Sequence, residues 1–280
     1  TGFDLSSVSY RDDFALSSQE SQPKGIAFNT DGTKMFIVGN DGDDVNEYAL
    51  STGFDVTTAS YTRNFDVSGQ EATPNGVVFN TDGTKMFVVG SSGDDVNEYN
   101  LTTGFDLSTA SYSKVFALSS QESSCGGIAF NSSGTKMYIV GHSSDKVHEY
   151  NLTTGFDVST TSYSNKSLDV SGQDSVPKGI TFNNDSTKLF MAGEASNNIN
   201  EYAISAPSVP SGYHAVHTTN STDSTYWTDI NSMTVDEAAG SGTVHYCVST
   251  DDRAIWKIAH NTNGIRSIVR NNSGTWQYNS

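Results

Sequence analysis

Fifteen residues constrain this chain more than any others, because they come back. Gly25-Ile-Ala-Phe-Asn-Thr-Asp-Gly-Thr-Lys-Met-Phe-Ile-Val-Gly39 returns at 76–90, at 127–141 and, with substitutions, at 179–193. Each copy is followed by an acidic, Asn-rich loop and then by Val-Asn-Glu-Tyr or a close variant, at Val45–Tyr48, Val96–Tyr99, Val147–Tyr150 and Ile199–Tyr202. The period is 51 residues between the first three copies and 52 before the fourth. A fixed period of this length marks a repeat architecture, in which one unit buries its apolar faces only by stacking on the next.

Inside one repeat, Gly25–Phe28 and Lys34–Val38 are short apolar runs joined by Asn29-Thr-Asp-Gly-Thr33. Asn and Asp bond their own backbone in turns and Gly accepts positive φ, so the join reads as a hairpin. Val45–Leu50 has apolar groups on both faces, the pattern of a strand covered on both sides. Tyr61–Ser68 alternates better, with Phe65 and Val67 flanking Asp66, as suits an outer strand with one wet face. Four antiparallel strands per ~50 residues, with turn signals every 8–12, describe one blade of a β-propeller. The link between blades, Thr52-Gly-Phe-Asp55, recurs at 1–4, 103–106 and 154–157, and its Phe (Phe3, Phe54, Phe105, Phe156) is expected to plug the space between strands.

Residues 9–17 carry a fourth-strand sequence (Tyr10, Phe14, Leu16) with no strands before it, while the fourth repeat ends at Ile204 after its third strand. The N-terminal strand is therefore expected to close the last blade, removing exposed sheet edges. The expected architecture is all-β: a propeller of about four blades of 51 residues over 1–204, a linker at 205–212 and a small antiparallel β-module at 213–280, which could instead be an additional blade. In that module Thr243–Ser249, Ile255–His260, Ile265–Arg270 and Thr275–Tyr278 read as strands, and Asp236–Ala239 as a helical turn. All three tryptophans (Trp227, Trp256, Trp276) fall there, where they supply a small core or a stacking surface.

Composition narrows the function. Fifteen Lys and Arg stand against 32 Asp and Glu, a net charge of −17, so nucleic-acid and anionic-membrane binding are disfavoured. No segment approaches the ~18 continuous apolar residues a spanning helix needs. The sequence opens in mid-motif without a signal-peptide pattern, as expected of a piece of a longer polypeptide. The two cysteines, Cys125 and Cys247, do not make a disulfide framework, and whether they pair is left open.

No nucleophile elbow, phosphate-binding glycine loop or His-Glu-x-x-His motif is present, so no catalytic residue is assigned. The divergent loops between the second and third strands of each blade offer candidate ligand contacts at Asp41, Asp43, Asp44, Asp94, Asp95, His142, Asp145 and Glu194. Asp43, Asp44, Asp94 and Asp95 resemble fragments of a calcium loop, but Lys146 and Asn198 stand at the position of Asp44 and Asp95 in the other copies. Solvated turn chemistry is the expected role; calcium is the alternative, and no other cofactor is implied. Glu47, Glu98, Glu149 and Glu201 recur beside Tyr, which points to structural bonds within each blade, with a cation-binding ring of carboxylates near the axis as the alternative. His214-Ala-Val-His217 would face opposite sides of a strand and does not make a metal site.

The Phe-Asn-Thr-Asp-Gly-Thr-Lys-Met-Phe-Ile-Val-Gly block resembles the Phe-x-Pro-Asp-Gly hairpins of YVTN-type propellers, with Thr30, Thr81, Ser132 and Asn184 in place of Pro. The longer unit, Ser-Thr-Gly-Phe-Asp-Val with Asp-Gly-Thr-Lys-Met-Phe-Val-Val-Gly, is similar to repeats in virion and tail-fibre proteins of marine bacteriophages and in large secreted proteins of marine bacteria. That resemblance implies a non-enzymatic extracellular or virion-surface module for adhesion or host-receptor recognition. Its partners would be a cell-surface glycan or envelope protein and neighbouring structural proteins of a fibre or virion, with oligomers formed through adjoining regions. The competing readings are a purely architectural spacer and a secreted carbohydrate-active enzyme on a propeller scaffold.

Overall fold

A computed structural model describes residues 9–204 apart from 185, together with the backbone of five strands between 230 and 279. The chain divides into two compact units, Thr1–Ile204 and Ser205–Ser280. The 205–212 linker, Phe3, His214, His217, Trp227 and the turn after Asp236 lie outside the described residues.

In the first unit each repeat makes one antiparallel sheet in sequence order, and the four sheets are set in a ring as the blades of a β-propeller. The first blade comprises β1 (Pro23–Phe28), β2 (Lys34–Gly39), β3 (Asp44–Leu50) and β4 (Ala59–Asp66). The second is β5 (Pro74–Phe79), β6 (Lys85–Gly90), β7 (Asp95–Leu101) and β8 (Ala110–Ala117). The third is β9 (Cys125–Phe130), β10 (Lys136–Gly141), β11 (Lys146–Leu152) and β12 (Thr161–Asp169). The fourth has three strands, β13 (Pro177–Phe182), β14 (Lys188–Gly193) and β15 (Ile199–Ala203).

The hairpin turns form as their residues dictate. Asp31 accepts from the backbone N–H and hydroxyl of Thr33, and Gly32 takes φ +72°. That glycine serves a second purpose, since a Cβ there would meet the ring of Phe54 at 2.3 Å. Burial follows the strand pattern. β2 and β3 are covered on both faces, whereas β4 is mostly exposed.

The blades meet at the axis through their first strands, where the chains approach so closely that side chains are excluded. A Cβ at Gly25 would lie 3.1 Å from Gly76 Cα, one at Gly76 3.4 Å from Gly127 Cα, and one at Gly127 3.3 Å from Gly179 Cα. Outside that glycine line the core is interblade. Phe36, Val38, Val45 and Val67 of the first blade pack with Val77, Met86, Val88, Tyr99 and Leu101 of the second. Phe87, Val89, Val96 and Leu118 meet Ile128, Met137, Ile139, Tyr150 and Leu152 in the same way.

Phe105 and Phe156 plug these seams as expected, whereas Phe54 is 60% exposed and lies 5.5 Å from Phe28 of its own blade. Phe105 lies 5.3 Å from Phe79 and 6.4 Å from Phe36, and Phe156 repeats the arrangement on Phe130 and Phe87. Phe54, Phe105 and Phe156 hold positive φ of 55–59°, an uncommon conformation for a bulky residue, fixed here by the packed ring and by an N–H bond to the hairpin glycine carbonyl.

The N-terminal strand differs from expectation. Residues 9–16 form no strand, and β15 has no fourth strand beside it among the described residues. Phe14 and Leu16 pack instead on Met35, Ile37, Tyr48 and Leu50 of the first blade. Burial of their apolar side chains holds the segment there without ladder hydrogen bonds.

In the second unit a five-stranded antiparallel meander runs in order β16 (Ile230–Asp236), β17 (Val244–Ser249), β18 (Ile255–Asn261), β19 (Gly264–Asn272) and β20 (Thr275–Asn279). β16 occupies a stretch with no clear sequence pattern, and the helical-turn reading fails at Asp236, which is the last residue of that strand.

Candidate functional site

The candidate contacts sit in the loops between the second and third strands, and each loop is organised by a buried carboxylate that sequence reasoning overlooked. Glu20, Glu71, Glu122 and Asp174 are 0–3% exposed. Each accepts N–H groups both from its own segment and from the loop. Glu71 takes them from Thr73 at 2.8 Å and from Ser92 and Gly93 at 3.0 Å. Glu122 takes them from Ser124, Ser143 and Ser144, and Asp174 from Val176, Ala195 and Ser196. Glu20 does the same with Gln22 and Asp41. Charge-assisted bonds of this kind are the strong ones, and they hold the loop backbone in one shape.

Burial pushes the Glu122 carboxyl up, but hydrogen bonds from Ser143, Ser144 and the backbone outweigh it and leave the group below the ordinary range. The glycine that ends each second strand exists to make room, since a Cβ at Gly90 would lie 2.4 Å from the Glu71 carboxyl carbon and 2.3 Å from Thr73 O. The signal was available in the sequence. Gln19-Glu20, Gln70-Glu71, Gln121-Glu122 and Gln173-Asp174 recur at the repeat period.

On this common scaffold the loop side chains differ. Asp41 is exposed and accepts from Ser21 at 2.6 Å, and His142 is exposed with its ring nitrogens 3.1 Å from Ser124 Oγ. Glu194 is exposed and pairs with Lys178 at 3.4 Å. Asp43, Asp94, Asp145 and Asn197 stand at one turn position with φ of 50–56°, the left-handed region that Asp and Asn tolerate.

Asp44 and Asp95 are not solvated turn residues. Asp44 is 6% exposed and accepts from the amides of Asn46 and Asn64, while Asp95 accepts from Asn97 at 2.6 Å. Burial raises the carboxyl pKa of both, against the lowering effect of those amides. In the third blade Lys146 and His148 take the equivalent places. His148 is 5% exposed, lies 2.9 Å from Ser144 Oγ, and is held below the ordinary imidazole value by burial. Each loop keeps its candidates near its own carboxylate. Among the described residues no three His, Cys, Asp or Glu side chains gather as a metal-binding group. Cys125 is a free, buried thiol, and burial pushes its pKa up.

The recurring third-strand glutamates do something else. Glu47 accepts from Lys34 Nζ at 2.9 Å and, from the next linker, the Leu107 N–H at 3.1 Å, while Lys34 also donates to Phe105 O at 2.6 Å. Glu98 repeats this with Lys85, Val158 N–H and, through Lys85, Phe156 O. The pair is thus a clamp between blades and not only a bond within one. It also lies away from the axis, which is lined by β1, β5, β9 and β13, so no ring of these carboxylates surrounds it.

No protein-family model and no curated protein matches this sequence. Several solved structures are similar at low identity. The periplasmic gluconolactonase of Pseudomonas aeruginosa is 12% identical at a TM-score of 0.46, over 92% of this chain and 84% of that one. A functionally unknown protein from Desulfotomaculum acetoxidans is 15% identical at 0.44, over 92% and 69%. The Swd1 β-propeller domain of Myceliophteria thermophila is 12% identical at 0.43, over 65% of this chain and 54% of that domain, so the match spans about half of its length. One of these similar chains is an enzyme by name, and at such identities the likenesses assign no activity. The propeller architecture rests on the four repeated sheets themselves.

Proposed function

We propose that this chain is a non-enzymatic recognition module, working outside a cell or on a virion surface, whose second-to-third-strand loops contact a cell-surface glycan or envelope protein. One observation carries the reading. Four loops share one carboxylate-fixed backbone and yet present different side chains: Asp41-Gly-Asp-Asp44, Ser91-Ser-Gly-Asp-Asp95, His142-Ser-Ser-Asp-Lys146 and Glu194-Ala-Ser-Asn-Asn198. Because strand order and direction repeat in every blade, these loops emerge at the same end of the propeller. A rigid frame with variable tips orders its contacts before binding, which lowers the entropy cost of recognition. The acidic, Ser/Thr/Asn-rich composition and the resemblance to marine phage and bacterial surface repeats support the setting.

An architectural role, as spacer or decoration of a fibre, is the second reading, favoured by the near-identity of the strands. Binding of the purified chain to marine bacterial cells and their surface polysaccharides, with and without EDTA and with the glycans monitored for cleavage, separates these. Saturable binding without cleavage is expected. Loss in EDTA would assign a cation to the Asp43–Asp44 and Asp94–Asp95 loops. Absence of binding to every envelope fraction would favour the spacer, and cleavage would overturn the non-enzymatic reading.

A further inference from the structure

The three packed seams use equivalent strand positions, the first two with a linker phenylalanine added, and the two halves of such a seam are left uncovered at the ends of the array. On the first blade Ile26 is 57% exposed, whereas its equivalents Val77 and Ile128 are 3% and 4% exposed under the preceding blade. Beside it lies a hollow of about 220 Å³ walled by Phe14, Leu16, Ile26, Met35, Ile37 and Val56, with Asp12 and Asp13 also lining it. On the fourth blade Ile199 is 60% exposed, whereas Val45, Val96 and Val147 are 0–5% exposed under the following one. Among the described residues a Cβ at Gly179 would meet only Ala192 of its own sheet, so the glycine line stops there.

We propose that the fourth blade of one copy of this chain docks on the first blade of a second copy, head to tail, as a fourth packed seam. The missing strand is already in place for it. Phe14 stands 5.6 Å from Tyr48 at 80°, the arrangement of Phe65 on Tyr99 and Phe116 on Tyr150 at 5.5 and 5.7 Å. Arg11 reaches Asp55 at 3.5 Å, as Arg63 reaches Asp106 and Lys114 reaches Asp157. Residues 10–16 therefore occupy, against the first blade, the position that β4 and β8 occupy against the second and third. A neighbour's β15 arriving there would pair with them as β3 pairs with β4, setting Ile199 opposite Phe14 and Asn200 opposite Asp13, by the register of Val45 with Phe65 and Asn46 with Asn64.

A second copy fits better than the same chain. Within this chain Ile26 stays 57% exposed and Ile199 60% exposed, and β15 has no outer partner among the described residues, so the chain's own blades do not cover each other at this seam. Asp12 stands where Arg63, Lys114 and Lys166 face Glu47, Glu98 and Glu149, so this seam sets a carboxylate opposite Glu201, whose cation is Lys188 of its own blade, and the contact is weaker than the other three. A heterologous contact of this kind makes a closed ring or an open chain of copies according to its rotation.

The test is light scattering of the full chain across a concentration series. A mass rising to dimer or beyond is expected, and a monomer throughout would overturn the proposal. Ile26→Asp and Ile199→Asp each leave one half of the seam intact, so each alone should be monomeric and their mixture should restore a heterodimer. Failure of the mixture to associate, with both variants folded by circular dichroism, would overturn the head-to-tail geometry. Asp13→Cys with Asn200→Cys, in a chain whose Cys125 and Cys247 are serine, should give a covalent dimer on oxidation. A bridge within one chain would instead establish closure in cis, and no bridge would refute the pairing.

Discussion

The second and fourth blades are copies of one repeat, the fourth with substitutions, and they have very different surroundings. In the second, Val96, Glu98 and Tyr99 are all fully buried, Glu98 is clamped by Lys85 and by the Val158 N–H, and β8 covers the outer edge. In the fourth, Ile199 is 60% exposed, the Glu201 and Lys188 side chains of the equivalent ion pair are each 38% exposed, and no outer strand pairs with β15 among the described residues. The same residue type is a core element in one place and a surface element in the other. What a residue contributes in a repeat array is set by its neighbours as much as by itself, because stability is a sum of unit and interface contributions.

That comparison can be broken by matched substitutions. Glu98→Ala strands Lys85 and the Val158 N–H in a buried seam and should cost about 3–5 kcal/mol, whereas Glu201→Ala in an exposed pair should cost about 0–1 kcal/mol. Guanidinium unfolding of both variants checks this, and equal losses would mean that the clamp owes nothing to the next blade.

Phe105→Ala, which empties the space between Phe36 and Phe79, should cost about 3 kcal/mol, and Phe54→Ala, whose ring is 60% exposed, about 1 kcal/mol. Gly127→Ala places a Cβ 2.6 Å from Lys178 O and should destabilise by about 1–3 kcal/mol. Gly179→Ala meets only Ala192 Cβ at 3.5 Å and should be close to neutral in thermal unfolding.

The smallest effect is a pH difference between blades. His148 occupies the place of Asn97 and its folded pKa lies below the usual value. The unfolded chain therefore takes up the proton first, so stability present above the ordinary imidazole pKa of about 6.5 falls as the pH drops below it. His148→Asn should flatten the melting temperature between neutral pH and about pH 5.5, while Asn97→His should steepen it.

Much of the fold is written locally. The hairpin turn at 29–33, the doubly covered β3 and the alternating β4 each follow from periodicity and turn chemistry within a few residues. The plugging role of Phe105 and Phe156 was also legible, because an irregular link needs burial to hold it, whereas Phe54 carries the same pattern and stays 60% exposed. What sequence periodicity could not supply was long-range partnership. The acceptor of the Leu107 N–H is Glu47, 60 residues earlier, and nothing in either local pattern announces that bond.

The placement of residues 9–16 failed for a related reason. Their side-chain pattern fits a fourth strand, and they take that position against the first blade, but pairing depends on where β15 lies in space. At the candidate site the variable residues were found and their support was not. Asp44 looked like a surface turn residue because its burial comes from Asn46, from Asn64 one strand away and from the loop that Glu20 holds.

Replacing the loops one at a time tests recognition by a fixed frame most directly. Each of the loops at 41–44, 142–146 and 194–198 would be exchanged for the Ser91–Asp95 loop, with the carboxylates left in place, and binding to marine bacterial envelope polysaccharide measured beside thermal stability. At least one exchange should abolish saturable binding while the melting temperature stays within a few degrees of the parent. Binding left unchanged by all three exchanges would contradict recognition by these loops.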